Sequence, residues 1–367
     1  MASLGRRALL RLAGAAATVT ACGITETAPA STDAPKSPIA AAPTPPTAAG
    51  PRPLGRITVY TALDERTNSA LVDAFTRRHA GAEVELVPLA GAGDLQTRII
   101  TERASPRADV FLGGSSELHD VLGAQGLLEP HRSPSAKDLP DVFKHPGGLW
   151  AGWCASIVAL AVNVDRLKNE PGGKQPATWD DLLDPAWRAA VALPDPRKTT
   201  AGYAFLATQV FRFDRDEGKA LDYLKRLHGS IARYAGTARE ALALVSKAEV
   251  VGAAGWSHEI LAERAKSPVV VLATPSVTGF EISAVSIVKG ARNQPLAGAF
   301  VDWMLTPDAG ALAVRLTDRH STLGSVPPPA GAPPLSQVQL VRFDRFWATD
   351  NKDRLLKLFD RTVGPAA

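Results

Sequence analysis

The chain has 367 residues, a formal net charge of +4 at pH 7 and two cysteines. The part that follows residue 55 is longer than one hydrophobic core usually holds, which predicts two lobes. Because the basic residues form no cluster interleaved with aromatic side chains, the composition argues against a nucleic-acid-binding protein.

Residues 1–21 predict an export signal. Arg6, Arg7 and Arg11 accompany an apolar segment that is too short to span a membrane. The paired arginines resemble a twin-arginine signal, although an ordinary secretory signal also tolerates them. Removal of this segment takes away three arginines and no acid, so the net charge of +4 falls by three.

Residues 19–22, Val-Thr-Ala-Cys, are similar to the lipobox of bacterial lipoproteins, in which the cysteine is lipidated. The alternative is a chance cysteine in the signal. Together with Cys22, residues 23–55 predict a disordered tether, because this Ala/Pro/Thr-rich run has too few large apolar side chains to offset chain entropy. We therefore expect an exported protein, lipid-anchored at the cell envelope, either in the periplasm or at the outer face of the cytoplasmic membrane.

Cys154 is the other cysteine, so no intramolecular disulfide is expected in the mature chain. We expect this side chain to pack in a core, with a reactive thiol as the alternative.

Strands and helices alternate from residue 56 onwards, which predicts parallel βαβ units. The predicted strands of the first part are residues 57–61, 84–89 and 108–112, and the predicted helices are residues 66–79, 94–103 and 118–124, with Asp94 as an N-cap. Residues 130–148 read as a polar loop.

The second part continues this alternation without an internal repeat. Residues 157–163 predict a strand that crosses into the second lobe. The other predicted strands are residues 191–194, 250–255, 269–273 and 282–288. The predicted helices are residues 178–183, 203–211, 217–227, 238–247, 295–305, 309–316 and 352–361, with one more that starts at residue 257.

The strand at residues 108–112 stops at Gly113 and Gly114, and Ser115 and Ser116 lead into the next helix. In open α/β sheets, ligands collect at the carboxyl ends of strands, against helix N-termini. Two hydroxyls beside free backbone N–H groups suit an oxyanion. The alternative is a plain strand-to-helix turn with a serine N-cap.

Several short motifs stand in the order in which one known family has them. They are residues 57–61 (ITVYT), 108–111 (ADVF), 178–182 (TWDDL), 195–203 (DPRKTTAGY), 278–293 (beginning TGFEI) and 300–305 (FVDWML). Together they resemble the bacterial extracellular solute-binding proteins of ABC importers, in the branch that binds ferric ion, hexose phosphates or phosphonates. The resemblance spans about residues 56–320.

The resemblance implies an α/β, two-lobed fold like the type II periplasmic binding proteins, with a hinge and a ligand cleft between the lobes. We expect residues 56–158 and 272–325 to form lobe 1, and residues 159–271 and 326–367 to form lobe 2. It also implies a monomer that captures a small anionic solute for an ABC permease of the inner membrane. No catalysis, cofactor or nucleic acid is expected.

The iron binders of this branch hold ferric ion with a His, a Glu and two adjacent Tyr. Those positions fall near Asp64, near Gly114 and on Trp256 and Ser257 in this chain. Ferric ion prefers hard anionic oxygens, which Trp256 and Ser257 do not supply. We therefore expect no metal, and keep a ferric ion or ferric chelate as the alternative ligand.

The candidate ligand-binding residues combine hydroxyls at predicted helix starts and strand ends with one indole and one carboxylate. They are Thr61, Ser115, Ser116, Thr199, Thr200, Thr237, Trp256, Ser257, Thr278 and Glu281. The resemblance places Thr199 and Thr200 where iron binders hold a companion phosphate.

Each candidate also has a structural alternative: N-capping for a hydroxyl, core packing for Trp256 and a salt bridge for Glu281. His258 is a further possible ligand contact. Arg66 and Arg239 are possible charge partners, or solvated helix residues.

Two other classes remain open. An exported hydrolase would need catalytic motifs, but the sequence has no Gly-x-Ser-x-Gly elbow and no His-Glu-x-x-His. A purely structural surface lipoprotein would bind no solute.

Overall fold

A computed structural model describes residues 53–170 and 173–363 of the chain. The predicted signal, Cys22 and nearly all of the predicted tether lie outside the described residues. Within the described ranges, no helix has the length and apolarity that crossing a membrane requires.

The first part of the fold is built from parallel βαβ units, as predicted. Its elements are β1 (Gly55–Thr61), α1 (Glu65–Arg78), β2 (Ala82–Pro88), α2 (Ala92–Thr101), β3 (Val110–Ser115), α3 (Ser116–Ala124) and β4 (Leu128–Glu129). Strand β1 lies between β2 and β3 and is parallel to both. The edge at which these three strands end therefore carries the loops that lead into α1, α2 and α3.

Two long strands connect this part to the next. They are β5 (Ala151–Asn163) and β10 (Phe280–Val288). Strand β10 is antiparallel to both β3 and β5. The first half of β5 pairs with β10, and its second half pairs with strands of the second part, so β5 belongs to both halves of the sheet. All thirteen residues of β5 are buried, as expected for a strand covered on both faces.

The second part repeats the parallel arrangement. Its elements are α4 (Val164–Asn169), β6 (Val191–Pro194), α5 (Thr200–Arg212), α6 (Glu217–Leu227), β7 (Ile231–Ala235), α7 (Ala238–Ser246), β8 (Gly252–Trp256), α8 (Ser257–Lys266) and β9 (Val270–Ala273). Strand β6 is parallel to β7 and to β8. Strands β8 and β9 are both antiparallel to β5.

The remaining elements cover the sheet. They are α9 (Gln294–Met304), α10 (Pro307–Thr317), β11 (His320–Ser321), α11 (Arg345–Asp350) and α12 (Lys352–Val363). The core of the first part contains Phe75 of α1, whose ring meets Phe300 of α9 edge-on at 5.0 Å. The core of the second part contains Trp179 and Phe205, whose rings meet edge-on at 5.2 Å. Each buried aromatic of this size contributes about 1.5–3 kcal/mol.

Two details differ from the sequence-based expectations. Asp94 is not an N-cap, because α2 starts earlier: its N-cap is Gly91, and Asp94 lies in the first turn. Strand β3 does not stop at Leu112 but runs through Gly113 and Gly114 at φ angles of 88° and 77°. Only glycine adopts such angles without strain, so these two residues let the strand reach Ser115.

Candidate functional site

The two halves of the sheet point their carboxyl ends at each other. Ser115 at the end of β3 and Cys154 of β5 both pair with Ser283 of β10. Trp256 at the end of β8 pairs with Val158 of β5. Because β3 runs parallel to β5 and β8 runs against it, the two edges face each other across four residues of β5, roughly 13 Å. We call this region the facing edges.

The predicted hydroxyls of the first edge differ in what they already bond. The Thr61 hydroxyl donates to the Asn68 Oδ1 atom at 2.9 Å, so its single proton is used within the protein. Ser116 is fully buried and its hydroxyl contacts the Glu117 carboxylate at 3.4 Å. Ser115 is partly exposed and its side chain makes no hydrogen bond with any described residue. Of these three hydroxyls, Ser115 is therefore the most available to a ligand.

The second edge divides in the same way. The Thr199 hydroxyl caps α5 by accepting from the Gly202 N–H at 2.9 Å, and it donates to the Asp195 carbonyl at 3.0 Å. Thr237 caps α7 by accepting from the Glu240 N–H at 3.0 Å. Thr200 is exposed, and its hydroxyl has no partner among residues 53–170 and 173–363. Thr200 and Thr237 thus keep a proton that they can donate to an anion, whereas Thr199 does not.

Two candidates lie next to β5 and β10, which we call the crossing strands, and both bond to the backbone of β5. The Ser257 hydroxyl accepts from the Ile157 N–H at 3.2 Å, and the Thr278 hydroxyl donates to the Val158 carbonyl at 2.6 Å. Trp256 is 7% exposed and belongs to the core of the second part. The indole therefore packs in the core at the end of β8, with only a small fraction of its surface open.

A cluster of polar side chains lies on the crossing strands between the facing edges. The Arg319 guanidinium lies 3.8 Å from the Glu281 carboxylate and donates to the Ser156 hydroxyl at 2.9 Å. The Ser156 Oγ atom also lies 2.8 Å from the His258 Nδ1 atom. We call Ser156, His258, Glu281 and Arg319 the crossing-strand cluster. Arg319 thus forms the predicted salt bridge with Glu281 and is also linked, through Ser156, to His258.

Burial is the largest cause of the pKa shifts of Glu281, Glu259 and His258. It raises the pKa of Glu281, and the nearby Glu117 and Glu259 carboxylates raise it further, while the Arg319 charge lowers it. Burial also raises the pKa of Glu259, whose Oε2 atom is buried without a hydrogen-bond partner among the described residues. The pKa of His258 lies well below its usual value because the ring is buried and because Arg319 is close. His258 is therefore neutral at pH 7.

Sequence reasoning missed Ser156 and Arg319. Ser156 lies inside a strand that reads as uniformly apolar, and Arg319 follows the end of α10, 163 residues further along the chain. Asp318 follows α10 in the left-handed conformation, and the next residue, Arg319, reaches Ser156 of β5. No sequence motif marks this turn. The two arginines named from the sequence, Arg66 and Arg239, are exposed, although the Arg239 charge does lower the pKa of Glu259.

The positions that would hold ferric ion have other roles. Asp64 caps α1 by accepting from the Thr67 N–H and hydroxyl at 2.9 and 2.6 Å. Gly114 has no side chain, and Trp256 and Ser257 are held as described above. No group of three His, Cys, Asp or Glu side chains in the described part of the chain could hold a metal ion.

A family model described as "Bacterial extracellular solute-binding protein" matches residues 105–336. The chain belongs to this family. Its members act outside the cytoplasm, so the family implies export, in agreement with the expectation from the sequence. The expected two-lobed α/β fold is confirmed by the similarity to solved periplasmic binding proteins.

Several proteins of this kind are similar to the chain. The "Probable ABC transporter periplasmic-binding protein y4fP" of Sinorhizobium fredii is 30% identical over 63% of this chain and 65% of its own length. The periplasmic binding protein AfuA of Actinobacillus pleuropneumoniae, solved with fructose-6-phosphate bound, is 26% identical, with a TM-score of 0.66 over 85% of this chain and 99% of its own. The open ferric iron-binding protein A of Mannheimia haemolytica, at 20% identity, has a TM-score of 0.70 over 84% of this chain and 98% of its own.

Proposed function

We propose that the protein is the substrate-binding lipoprotein of an ABC importer. It captures a small anionic solute that carries a phosphate or phosphonate on an organic part. The observation that carries this proposal is the pair of facing edges, which bring helix starts from both halves of the sheet to one polar cluster. We assign residues 56–158 and 272–325 to lobe 1 and residues 159–271 and 326–367 to lobe 2, with the solute between them.

The anionic group of the solute is bound by helix starts and unused hydroxyl protons. Helices α3, α5, α7 and α8 all begin at the facing edges, and their first N–H groups and dipoles favour an anion. Ser115, Thr200 and Thr237 keep protons that no described residue accepts. Ser257 is fully buried and accepts from the Ile157 N–H, so its side chain supports the strand. Thr61, Thr199 and Thr278 donate inside the protein and contribute by fixing the backbone around the solute.

The organic part of the solute lies at the crossing-strand cluster. Glu281 offers a carboxylate to hydroxyl or amine groups, and Arg319 lies 3.8 Å away from it to hold the charge. In this proposal the Arg319 charge keeps Glu281 ionised against the effect of burial. An ionised carboxylate only accepts hydrogen bonds, so it selects a solute that donates them. A bare phosphate has too few donors for such a partner, whereas a sugar phosphate carries several hydroxyls.

Two comparisons favour this function, and a third supports the alternative ligand. AfuA binds fructose-6-phosphate, and the relative from Sinorhizobium fredii carries a name that assigns it to an ABC transporter. "Iron uptake protein A2" of Synechocystis is 24% identical, which keeps ferric ion as the second candidate. Against direct ferric binding, Asp64 is used as a helix cap and Trp256 and Ser257 supply no anionic oxygen. The matched relatives are binding proteins, which favours binding over hydrolysis.

The partners follow from the same proposal. The solute-loaded protein delivers to an ABC permease of the inner membrane, acts as a monomer and is held at the membrane by a lipid on Cys22. No cofactor is needed, because nothing in capture and release requires chemistry on the solute.

The decisive experiment identifies the solute that co-purifies with the protein by mass spectrometry. Calorimetry with fructose 6-phosphate, inorganic phosphate and Fe³⁺ then compares the candidates. We expect an organic phosphate or phosphonate in the released material and tighter binding of fructose 6-phosphate than of inorganic phosphate. Tight Fe³⁺ binding with a visible charge-transfer band would reject the proposal in favour of iron.

A further inference from the structure

A hydrogen-bond relay runs from Arg319 through Ser156 to His258. The Arg319 Nη1 atom donates to the Ser156 Oγ atom at 2.9 Å, and that oxygen lies 2.8 Å from the His258 Nδ1 atom. Ser156 is on β5, His258 is in the first turn of α8, and Arg319 follows α10. Three elements that are distant in sequence thus meet at one hydroxyl.

The direction of this relay determines which nitrogen of His258 carries the proton. A guanidinium only donates, so the Ser156 oxygen must accept from Arg319. Ser156 is 0% exposed, and the one acceptor for its own proton among the described residues is the His258 Nδ1 atom. If Nδ1 were protonated, a buried hydroxyl proton would be left without an acceptor, which is unfavourable. The ring proton therefore resides on Nε2.

The surroundings of the His258 ring favour a neutral imidazole that donates from Nε2. Burial and the Arg319 charge both lower the pKa of His258 well below its usual value. His258 is partly exposed, and its Nε2 atom bonds to no described residue. His258 lies in the first turn of α8, at the facing edges. Its N–H is thus available to a molecule that enters between them.

We propose that Arg319 and Ser156 are positioning residues that hold His258 as a neutral Nε2–H donor to the bound solute. This inference rests on the proposed function, since the donor needs a solute in the same cleft. It explains why Arg319, which lies beside Glu281, also bonds Ser156. One guanidinium holds the Glu281 carboxylate as an acceptor and, through Ser156, sets His258 as a donor, so that the pair matches a solute with both kinds of group.

The first test reads the histidine tautomer without any solute. In long-range ¹H–¹⁵N NMR of ¹⁵N-histidine-labelled protein, we expect His258 to show a bare Nδ1 and a protonated Nε2. In Ser156→Ala no hydroxyl donates to Nδ1, so the His258 pattern should move to a mixture of tautomers. A wild-type His258 that is protonated on Nδ1, or on both nitrogens, would overturn the relay.

The chain contains a matched control for this test. The Ser286 Oγ atom lies 2.8 Å from the His119 Nδ1 atom, and the His119 Nε2 atom lies 3.0 Å from the Gly113 carbonyl oxygen. Ser286→Ala removes the same kind of serine–histidine bond from a buried strand. Because the Gly113 carbonyl still holds the Nε2 proton of His119, its tautomer should stay unchanged.

The second test measures affinity for fructose 6-phosphate by calorimetry. His258→Gln keeps an N–H near the Nε2 position, whereas His258→Asn places its amide near Nδ1. We expect His258→Gln to bind within about threefold of the wild type, and His258→Asn to bind about tenfold or more weakly. Ser156→Ala should lose only about twofold, because the tautomer that carries the proton on Nε2 remains part of the mixture. Wild-type affinity in His258→Asn would overturn the contact between His258 and the solute.

The two tests distinguish failure of the proposed function from failure of the relay. A wild-type protein that does not bind fructose 6-phosphate contradicts the proposed solute and the contact made by His258, while the NMR pattern still decides the relay. A wrong tautomer in a protein that binds fructose 6-phosphate rejects the relay and leaves the proposed function standing.

Discussion

Two neighbouring threonines allow capping of a helix to be separated from binding of the solute. The Thr199 hydroxyl bonds both the Gly202 N–H and the Asp195 carbonyl, at 2.9 and 3.0 Å. Thr200 is the first residue of α5, is exposed, and makes no side-chain hydrogen bond to the described part of the chain. The same chemical group therefore stands at one helix start in two situations, and alanine substitutions of each should have opposite consequences.

Thr200→Ala should weaken binding of fructose 6-phosphate and leave stability almost unchanged. A hydrogen bond to a charged group is worth about 1.5–3 kcal/mol, which corresponds to a loss of roughly tenfold to 150-fold in affinity. An exposed substitution of this kind changes the free energy of unfolding by less than about 0.5 kcal/mol. Thr199→Ala should lower the free energy of unfolding by about 1 kcal/mol through loss of the cap, with affinity within about threefold of the wild type.

Calorimetry and urea denaturation of both variants measure these changes. Thr306→Ala is the control for the loss of a cap alone, because Thr306 caps α10 by accepting from the Ala309 N–H at 3.4 Å. It should lose stability and keep its affinity. Full affinity in Thr200→Ala would refute its role as a donor, and a large loss of affinity in Thr199→Ala at unchanged stability would reverse the assignment.

Three further predictions concern the anchor, the buried acid and an ion pair. Cys22→Ala should move the protein from the membrane to the soluble fraction on cell fractionation, and a variant that stays membrane-bound would exclude the lipid. Since burial raises the pKa of Glu259, the native state binds its proton more strongly than the unfolded state. The free energy of unfolding should therefore fall as pH rises from 4.5 through the raised pKa, and Glu259→Gln should show less of this fall in urea denaturation at several pH values. Arg345→Ala breaks a 3.1 Å ion pair to Asp120, which is 4% exposed, and should lower the free energy of unfolding by about 2–3 kcal/mol. The control Arg188→Ala removes an exposed arginine and should lower it by less than about 0.5 kcal/mol.

Elements with a strong local pattern were predictable from the sequence. Helix α6 begins and ends at the predicted residues 217 and 227. The predicted helix at residues 178–183 is confirmed as a short 3₁₀ helix, Trp179–Leu183, in which the Thr178 and Asp181 side chains each bond the backbone N–H of the other residue. Both cases depend on contacts within a few residues, so the sequence alone carries the information.

Elements that depend on their neighbours were not predictable. Strand β7 was missed because its middle residues, Ala232 and Arg233, are exposed at the end of the sheet and give no alternating pattern. Helix α11 was missed because it has six residues and is held mainly by packing, with Trp347 against Phe211 at 5.5 Å. Short elements of this kind gain their stability from tertiary contacts rather than from their own sequence.

The candidate site shows the same limit more sharply. The sequence does not distinguish a hydroxyl that caps a helix from a hydroxyl at the same position that is free to bind a ligand. The Thr199 hydroxyl accepts from the Gly202 N–H and donates to the Asp195 carbonyl, whereas the Ser115 hydroxyl bonds no described residue. Arg319 could not be found at all, because its partner Ser156 is 163 residues away.

If the proposed function is correct, the site combines helix starts that attract an anion with carboxylates that repel one. Helix starts attract any oxyanion, so by themselves they would retain inorganic phosphate as readily as the intended solute. Burial raises the pKa of Glu281, and Glu117 and Glu259 raise it further. In the proposed function these acids disfavour an anion that offers no hydrogen-bond donors. A solute that covers these acids with hydroxyl or amine groups removes the penalty. The proposed selectivity therefore depends on the difference between helix starts that attract an anion and carboxylates that repel one, and the Arg319 charge reduces that repulsion.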